Sequence, residues 1–300
     1  MLWLPIIILS YLFFSLASLG DKLILKGGAK PKLYAFYVGI FGGLIVVLIP
    51  FIKFNLPDSA VLVWIILEAV AFIFGVYTMF LALEKFDASK VIPVIGAVQP
   101  ILILIFTLVI FGSEVMNEKN ILAFLVLLLA SIIISVEKKP QITMNFLKLT
   151  MISALMFSLD YIFSKIVFLN IPFLEGLIWT RIFIFLFVLT FLFSRNFRKQ
   201  AFKKQVVLNK KTGALFLLTQ TAGGLAIFLQ SFAISLAPIA YLAIVNSLRG
   251  IQYVFLFLAT TFLSYFYPKV LKEKISRKLV AQKIISIALI VLGLVILAIY

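Results

Sequence analysis

Four residues that share one face of a predicted helix carry the clearest chemistry in the sequence. They follow one another at the i, i+3, i+4, i+7 spacing of an α-helix and are Asn246, Arg249, Gly250 and Tyr253. A guanidinium group flanked by an amide and a phenol suits a carboxylate or phosphate, because its planar N–H fork matches two oxygen atoms at once. We therefore predict that Asn246, Arg249 and Tyr253 bind the anionic group of a substrate.

Charged residues also occur at the centre of long apolar segments, where they are costly. They are Glu68, Asp160, Arg181 and Arg249. A charge at the middle of a membrane helix costs about 2.5 to 3.5 kcal/mol, so each one needs a partner, an aqueous cavity or a changed protonation state. Two interpretations stay open: two buried structural ion pairs, or a site in which Arg181 helps Arg249 to hold a substrate and the carboxyl groups carry protons.

The two carboxyl groups differ in their neighbours. Removal from water favours the protonated form of a carboxyl group, and Glu68 has no basic residue within a turn on its own helix. Glu68 is therefore the better candidate for proton coupling, and Asp160 is the second. Ser153 and Ser164 lie on the same face of the helix as Asp160, and local hydrogen bonding to them is the alternative explanation for that residue.

Uncharged polar residues on other apolar segments extend the predicted substrate site. They are Tyr77, Gln99, Gln220 and Ser231. Interhelical hydrogen bonding is the ordinary explanation for each of these residues alone. Gln99 stands beside Pro100 and one turn after Pro93, and a proline inside a helix leaves a carbonyl group without its usual donor. In lipid that carbonyl must be satisfied by other helices, polar side chains or water, so we expect this helix to line a cavity.

The composition places these residues in a membrane. Of 300 residues, 64% are hydrophobic and 13% are charged, which leaves too little polar surface to coat a soluble domain. The chain has no Cys and no His, which excludes thiolate and imidazole catalysis and metal sites built from those residues, so we expect neither an enzyme nor a cofactor. The net charge of +16 comes from loops between apolar segments and does not indicate nucleic acid binding.

Ten apolar segments are long enough to span a bilayer, which needs about 20 residues each. They are Leu4–Ile24, Leu33–Ile52, Ala60–Leu83, Ser89–Phe111, Asn120–Val136, Phe146–Leu169, Phe173–Phe193, Thr212–Leu236, Ala240–Phe266 and Leu279–Ile299. The basic stretch Glu137–Gln141 divides them into five and five. This pattern predicts an all-α integral membrane protein of the cell (inner or plasma) membrane with ten transmembrane helices, as a monomer or a homodimer.

The two sets of five segments resemble each other. Phe14-Ser15-Leu16 followed by Lys22 recurs as Phe157-Ser158-Leu159 followed by Lys165 at one constant offset, with coincidence as the alternative. Since five is odd, two such repeats sit in the membrane with opposite orientation. We therefore predict inverted repeats at residues 1–139 and 140–300, with the substrate site between them.

Short motifs of small residues and prolines occur in both halves. The first half carries Ala82-Leu83 followed by Ala88 and Pro93, and then Phe111-Gly112-Ser113-Glu114 with Ala123 and Ala130. The second half carries Ala233, Pro238 and Ala240, and then Ser286 and Gly293. In these motifs the sequence resembles the EamA-type transporters of the drug/metabolite transporter superfamily. At Ala123, Ala130 and Ser286 the family pattern has glycine. The resemblance implies a carrier of small polar metabolites, often an exporter, whose third, fourth, eighth and ninth helices wall the cavity.

The distribution of basic residues gives an orientation. Most of the 27 Lys and Arg residues lie in the loops after the first, third, fifth, seventh and ninth segments, which the positive-inside rule places in the cytoplasm. Both termini are then extracytoplasmic, whereas EamA-type transporters are usually drawn with both termini inside.

Together these features predict a secondary-active carrier of a small polar or amphipathic metabolite such as an amino acid, with protons as the coupling ion. The resemblance implies that it is an exporter. The alternatives are an exporter of lipophilic cations or drugs and a membrane scaffold without transport activity.

Overall fold

Helices make up nearly all of the computed structural model, which describes residues 1–26, 31–86, 88–112, 117–135, 143–201, 210–266 and 277–298. The helices are α1 (Trp3–Lys26), α2 (Pro31–Gly42), α3 (Ser59–Lys85), α4 (Ala88–Phe111), α5 (Glu118–Ser135), α6 (Met144–Asn170), α7 (Phe173–Thr190), α8 (Arg195–Ala201), α9 (Lys210–Leu236), α10 (Leu242–Ser247), α11 (Gly250–Phe266) and α12 (Arg277–Ala298). Short 3-10 segments continue α2 over Gly43–Phe51, continue α7 over Phe191–Phe193 and precede α10 over Ile239–Tyr241. These ranges contain no β-strand.

Eight of the described helical stretches are long and apolar enough to cross a membrane. They are Trp3–Asp21, Ser59–Lys85, Val91–Phe111, Met144–Asn170, Phe173–Phe193, Gly213–Leu236, Ile239–Phe266 and Val280–Ala298. The second predicted segment forms a shorter apolar helix, Phe36–Phe51, and the fifth forms α5 with 18 residues. The prediction of an all-α membrane protein is thus confirmed, while the count of ten spans and the inverted repeats stay predictions. The Glu137–Gln141 break, the Ser113-Glu114 end of the family motif, and Val136 and Ile299, which end the fifth and tenth segments, lie outside the described residues.

Helices from the two halves pack mainly against each other. In the first half, α1 lies along α9 and α11, α3 along α6 and α7, and α5 along α12. The helix with the two prolines, α4, packs against α6 and α10. The largest apolar core forms where α1, α5, α10 and α12 meet, with Tyr11, Phe124 and Leu242 among its fully buried side chains. Because neither half covers its own apolar faces, the centre of the molecule is built from both.

Two buried serines join the halves in the same way. Ser10 on α1 donates to the carbonyl oxygen of Ala226 on α9 at 2.7 Å, and Ser153 on α6 donates to that of Gly75 on α3 at 3.0 Å. Each serine stands four residues before the repeated Phe-Ser-Leu sequence. In each half, a serine on the first membrane helix thus donates its hydroxyl to a backbone carbonyl on the third membrane helix of the other half.

The ninth predicted segment is not one continuous helix. It is interrupted at Leu248 and Arg249, where the N–H of Arg249 donates to the carbonyl oxygen of Asn246 at 3.1 Å instead of that of Val245. The carbonyl of Val245 is free to accept the hydroxyl of Tyr11 from α1, at 2.8 Å. A side chain from the other half thus satisfies the carbonyl that the break leaves free. The break places Arg249 at the turn between α10 and α11.

Candidate functional site

A cluster of polar side chains surrounds Arg249 at the centre of the described helices, and we call it the Arg249 cluster. Its members come from α1, α4, α6, α9, α10 and α11 and from the turn at Arg249: Tyr11, Gln99, Tyr161, Gln230, Asn246, Arg249 and Tyr253. The cluster brings together four of the residues predicted to bind substrate, namely Gln99, Asn246, Arg249 and Tyr253. The remaining member of the predicted helical face, Gly250, points instead toward Ser131 of α5 and Ile290 of α12.

The guanidinium group of Arg249 is held by an amide and not by a carboxylate. Its Nη1 donates to Oε1 of Gln99 at 2.8 Å, and Nε2 of Gln99 donates to the carbonyl oxygen of Phe157 at 3.4 Å. The hydroxyl of Ser158 donates to the carbonyl oxygen of Gln99 at 3.1 Å, which fixes α4 against α6 at this level. Among the described residues Arg249 has no acidic partner, so no carboxylate there balances its positive charge.

Several polar atoms in the Arg249 cluster have no hydrogen-bond partner within the described part of the chain. They are Oη of Tyr161, Nε2 of Gln230, both side-chain atoms of Asn246 and Oη of Tyr253. Asn246 is fully buried, at 0% exposure, and an unpaired buried amide or hydroxyl costs about 1 to 3 kcal/mol. So many unpaired groups around one cation are best explained by a polar ligand or water that they bind.

Gly96 on α4 makes room for this arrangement. A Cβ atom at position 96 would lie 2.6 Å from Oη of Tyr253 and 3.6 Å from Cδ of Arg249. Pro100 has no N–H to donate to the carbonyl of Gly96, so the proline frees a backbone acceptor at the place where the phenol of Tyr253 approaches. The proline helix thus lines the Arg249 cluster, as expected.

Gly96→Ala is expected to lower the stability of the protein by about 1 to 3 kcal/mol, because the new methyl group overlaps Oη of Tyr253. Tyr253→Phe removes that oxygen, and Cζ of Tyr253 is already 3.8 Å from the new atom. The double variant Gly96→Ala/Tyr253→Phe should therefore recover most of the loss, as measured by thermal unfolding in detergent. Equal stability of the single and double variants would show that the glycine is not needed for the phenol.

A second polar group, the Glu68 cluster, lies where α3, α6 and α7 meet and consists of Glu68, Asp160, Ser164, Thr180 and Arg181. The hydroxyl of Ser164 donates to Oε1 of Glu68 at 2.6 Å, and that of Thr180 donates to Oε2 at 2.9 Å. Arg181 lies over the ring of Phe72 at 5.3 Å and interacts by charge with both Asp160 and Glu68. Arg181 is thus shared between two acids, and the expected role of Arg181 beside Arg249 is not what the geometry favours.

Asp160 is not hydrogen-bonded by the serines on its own helix face. Ser153 donates to Gly75 and Ser164 donates to Glu68, so the local explanation for Asp160 is wrong. Glu68 is 4% exposed, whereas Asp160 and Arg181 remain partly exposed although they lie at the middle of their helices. Asp160 precedes Tyr161, whose charged neighbours include both Asp160 and Arg249. The two clusters are therefore adjacent along α6.

Thr180 gives the carboxyl group of Glu68 a partner in either protonation state. Its hydroxyl lies 2.9 Å from Oε2 of Glu68 and also 2.9 Å from the carbonyl oxygen of Gly176. When Glu68 is charged, Thr180 donates to it. When Glu68 is protonated, its O–H can donate to Thr180, which then donates to Gly176, so no polar atom is left unpaired.

Comparisons with known proteins bear on the fold. No family model matches the chain, and no curated protein matches it. One solved structure, named only "Crystal structure of protein", is similar over 98% of this chain and 96% of its own, with a TM-score of 0.69 and 15% sequence identity. The chain shares the fold of that protein. At this identity the similarity says nothing about the substrate or the activity.

Three other residues predicted to bind substrate lie on α9 and α3, namely Gln220, Ser231 and Tyr77. Ser231 is buried on α9, next to Gln230, and Gln220 is partly buried three turns earlier. Tyr77 is 42% exposed and pairs with the ring of Phe191 at 6.3 Å. Tyr77 follows Glu68 by nine residues, which at about 100° per residue puts it on the opposite face of α3. The structure does not bring Tyr77 to either cluster.

Sequence reasoning missed Tyr11, Gly96 and Tyr161. A signal for Tyr11 was present, because Tyr11, Ser15 and Ser18 follow the i, i+4, i+7 spacing on the first helix, and Ser18 accepts Nε2 of Gln252 at 3.1 Å. Gly96 had no signal in the sequence, since its role follows from the approach of Tyr253 from another helix.

Other buried charges have structural partners. Nζ of Lys165 donates to the carbonyl oxygens of Ile234 at 3.1 Å, Ser235 at 3.1 Å and Ala237 at 2.6 Å, where α9 ends. A cation is favourable at this end of a helix dipole. Glu175 accepts the backbone N–H of Asn55 at 2.9 Å and so joins α7 to the segment before α3. The described residues contain no group of three or more acidic, Cys or His side chains that could hold a metal ion.

Proposed function

We propose that the protein is a secondary-active transporter of a small polar or amphipathic metabolite that carries a carboxylate, and, by its resemblance to EamA-type carriers, an exporter. The observation that carries this proposal is the Arg249 cluster, in which a cation without an acidic partner is surrounded by unpaired donors. A scaffold would need these groups to be satisfied within the protein, because unpaired polar groups away from water are costly.

Alternating access between two inverted five-helix repeats is the proposed mechanism. The packing partners support it, since α1 with α9 corresponds to α6 with α3, and α4 with α6 corresponds to α11 with α1. The matching serine bonds of Ser10 and Ser153 support it as well. A site between two such repeats is exposed in turn to either side when the repeats rock against each other.

Protons are the proposed coupling ion, and Glu68 is the proposed proton carrier, with Asp160 beside it. The hydroxyl of Thr180 supports this role, because it can bond to Glu68 in both protonation states. A carboxyl group that changes protonation during transport needs a hydrogen-bond partner in each state. By loop charge, both termini are proposed to be extracytoplasmic.

Uptake into proteoliposomes tests the proposal. The purified chain is reconstituted with a panel of labelled carboxylates, amino acids and lipophilic cations, with and without a pH gradient. We expect accumulation of at least one carboxylate-bearing compound that increases with the gradient. Accumulation of lipophilic cations alone would favour the drug exporter, and no uptake of any compound would favour the scaffold.

A further inference from the structure

We infer that the exposed basic face of the short helix α8 binds the phosphate headgroups of anionic phospholipids. Helix α8 carries Arg195, Arg198 and Lys199 at i, i+3 and i+4, and all three side chains are exposed. This spacing puts the three cations within about 100° of each other around the helix. We call these three residues the α8 basic face. It is separate from the Arg249 and Glu68 clusters and does not involve the transported substrate.

Helix α8 begins where a membrane-spanning stretch ends. The stretch Phe173–Phe193 ends with a phenylalanine whose side chain is 85% exposed, and only Ser194 separates it from Arg195. The backbone of Ser194 is extended, with φ −72° and ψ 115°, and its carbonyl oxygen accepts the N–H of Arg198 at 2.9 Å. The chain therefore leaves the span and starts a new helix at once, without a soluble linker between them.

The ring of Phe197 holds α8 against the ends of α2 and α7. Its centroid lies 5.4 Å from that of Phe36 on α2 and 6.0 Å from that of Phe191, and both contacts are edge-to-face. This is a favourable geometry for aromatic pairs. At about 100° per residue, Phe197 lies on nearly the opposite side of α8 from the basic face. Because Phe197 points to the bundle, the basic face points away from it, at the level where the span ends.

No carboxylate in the described part of the chain balances the α8 basic face. None of its three side chains has an ionic partner among the described residues. Along the sequence the nearest acidic residues are Glu175 and Glu273. Glu175 lies at the opposite end of α7, where it binds the backbone of Asn55. The positive charge at this edge of the molecule is therefore balanced only by groups outside the described chain.

The position of the α8 basic face favours lipid over an acidic protein partner. A face directed away from the bundle at the end of a span meets the headgroup region, and the exposed ring of Phe193 lies beside it where the acyl chains begin. Arginine and lysine bind phosphate oxygens by charge-assisted hydrogen bonds. By loop charge this end of α7 is proposed to be cytoplasmic, and the cytoplasmic leaflet carries anionic lipids.

Thermal unfolding in defined lipids measures this binding. The full chain is purified and unfolded in detergent micelles that contain either anionic phosphatidylglycerol or zwitterionic phosphatidylcholine, and the lipids that stay bound are counted by native mass spectrometry. A lipid that binds the folded protein stabilises it by mass action. We expect phosphatidylglycerol to raise Tm more than phosphatidylcholine does, and we expect high salt to reduce the difference, because salt screens exposed charges.

The triple variant Arg195→Gln/Arg198→Gln/Lys199→Gln locates the binding site. It removes the three charges and keeps good helix formers in α8. Each basic residue near an anionic surface strengthens binding about fivefold, so the variant should bind phosphatidylglycerol at least about tenfold more weakly, as judged by the lipid concentration that gives half of the Tm shift. Arg195→Lys/Arg198→Lys keeps the charges and should keep most of the preference for phosphatidylglycerol.

The matched control is Lys53→Gln/Lys85→Gln/Lys148→Gln. It also removes three exposed positive charges, but they are scattered over other parts of the molecule. The control should bind phosphatidylglycerol nearly as well as the wild type. An equal loss of binding in the control and in the α8 variant would show an effect of net charge alone and would overturn the assignment to α8.

Other results would also overturn the inferred lipid site. One is a folded α8 variant that binds phosphatidylglycerol like the wild type, and another is phosphatidylcholine that stabilises the wild type as much as phosphatidylglycerol does. A third uses poly-L-glutamate added to the protein in phosphatidylcholine micelles. If this acidic polypeptide stabilises the wild type as strongly as phosphatidylglycerol and fails to stabilise the α8 variant, the basic face belongs to an acidic protein partner and not to lipid.

Discussion

Arg249→Ala is expected to weaken substrate binding by about tenfold or more, which corresponds to about 1.4 kcal/mol, while the empty protein stays folded. The reason is the partner of Arg249. Removing one member of a buried ion pair leaves a charge unpaired and costs about 3 to 5 kcal/mol. Arg249 binds the neutral amide of Gln99, so its removal leaves only an amide oxygen without a donor. Equilibrium binding and thermal unfolding of the ligand-free protein measure the two effects separately.

Two further variants define what this result means. Arg249→Lys should restore part of the affinity, since a point charge cannot reproduce a planar fork on a carboxylate. Lys165→Met removes another buried cation, one that satisfies three carbonyl groups at the end of α9, and should lower stability without changing affinity per folded molecule. If Arg249→Ala instead unfolds the protein and neutralising Asp160 or Glu68 rescues it, Arg249 is half of a structural pair and the scaffold regains support.

Glu68→Gln is expected to abolish transport driven by a pH gradient while leaving folding and substrate binding intact. Glutamine has nearly the same shape, and its carbonyl oxygen can still accept the hydroxyl of Ser164. The hydroxyl of Thr180 can turn to the carbonyl of Gly176 and accept the new N–H group, so no polar atom is left unpaired. What the variant loses is the proton. Uptake with and without a gradient, together with substrate binding at equilibrium, measures the difference.

Thr180→Val provides a second measurement at the same site. It keeps the size of the side chain but removes the hydroxyl that serves Glu68 in both protonation states, so gradient-driven uptake should fall while counterflow exchange continues. Gradient dependence in Glu68→Gln equal to that of the wild type would leave Glu68 a structural residue.

Helical periodicity explains why part of the site was predictable. Residues at i and i+4 share a face of a helix, and so Arg249 and Tyr253 both lie beside Gly96. The same spacing does not carry Asn246 or Gly250, because the helix is interrupted at Leu248 and Arg249 and Gly250 points toward Ser131 and Ile290. A proline inside a membrane helix likewise indicates that polar groups lie nearby, and this is how the position of Gln99 beside Pro100 was recognised as part of the site. The same rule, applied to α3, would have separated Tyr77 from Glu68, because nine residues carry the chain to the opposite face.

Other features depend on contacts between helices and had no signal in the sequence. At the break at Leu248, the hydroxyl of Tyr11 from α1 donates to the carbonyl oxygen of Val245 that the break leaves free. No local pattern near Leu248 indicates that partner. The difference between Arg181 and Arg249 is of the same kind. Both are single arginines in apolar segments, and they differ because α3 and α6 bring acids to Arg181 while α4 brings an amide to Arg249.

The bonds made by the first helix have a consequence for synthesis of the chain. Ser10 and Tyr11 find their acceptors 216 and 234 residues later, at Ala226 and Val245. The N-terminal helix therefore leaves the ribosome long before the acceptors of its hydrogen bonds have been synthesised. Until then its two hydroxyl groups lie in the bilayer or beside the insertion machinery without these acceptors. Final assembly of the centre is then a late event, because it requires both α9 and α10. A chain that stops before Ala226 lacks both acceptors for the first helix.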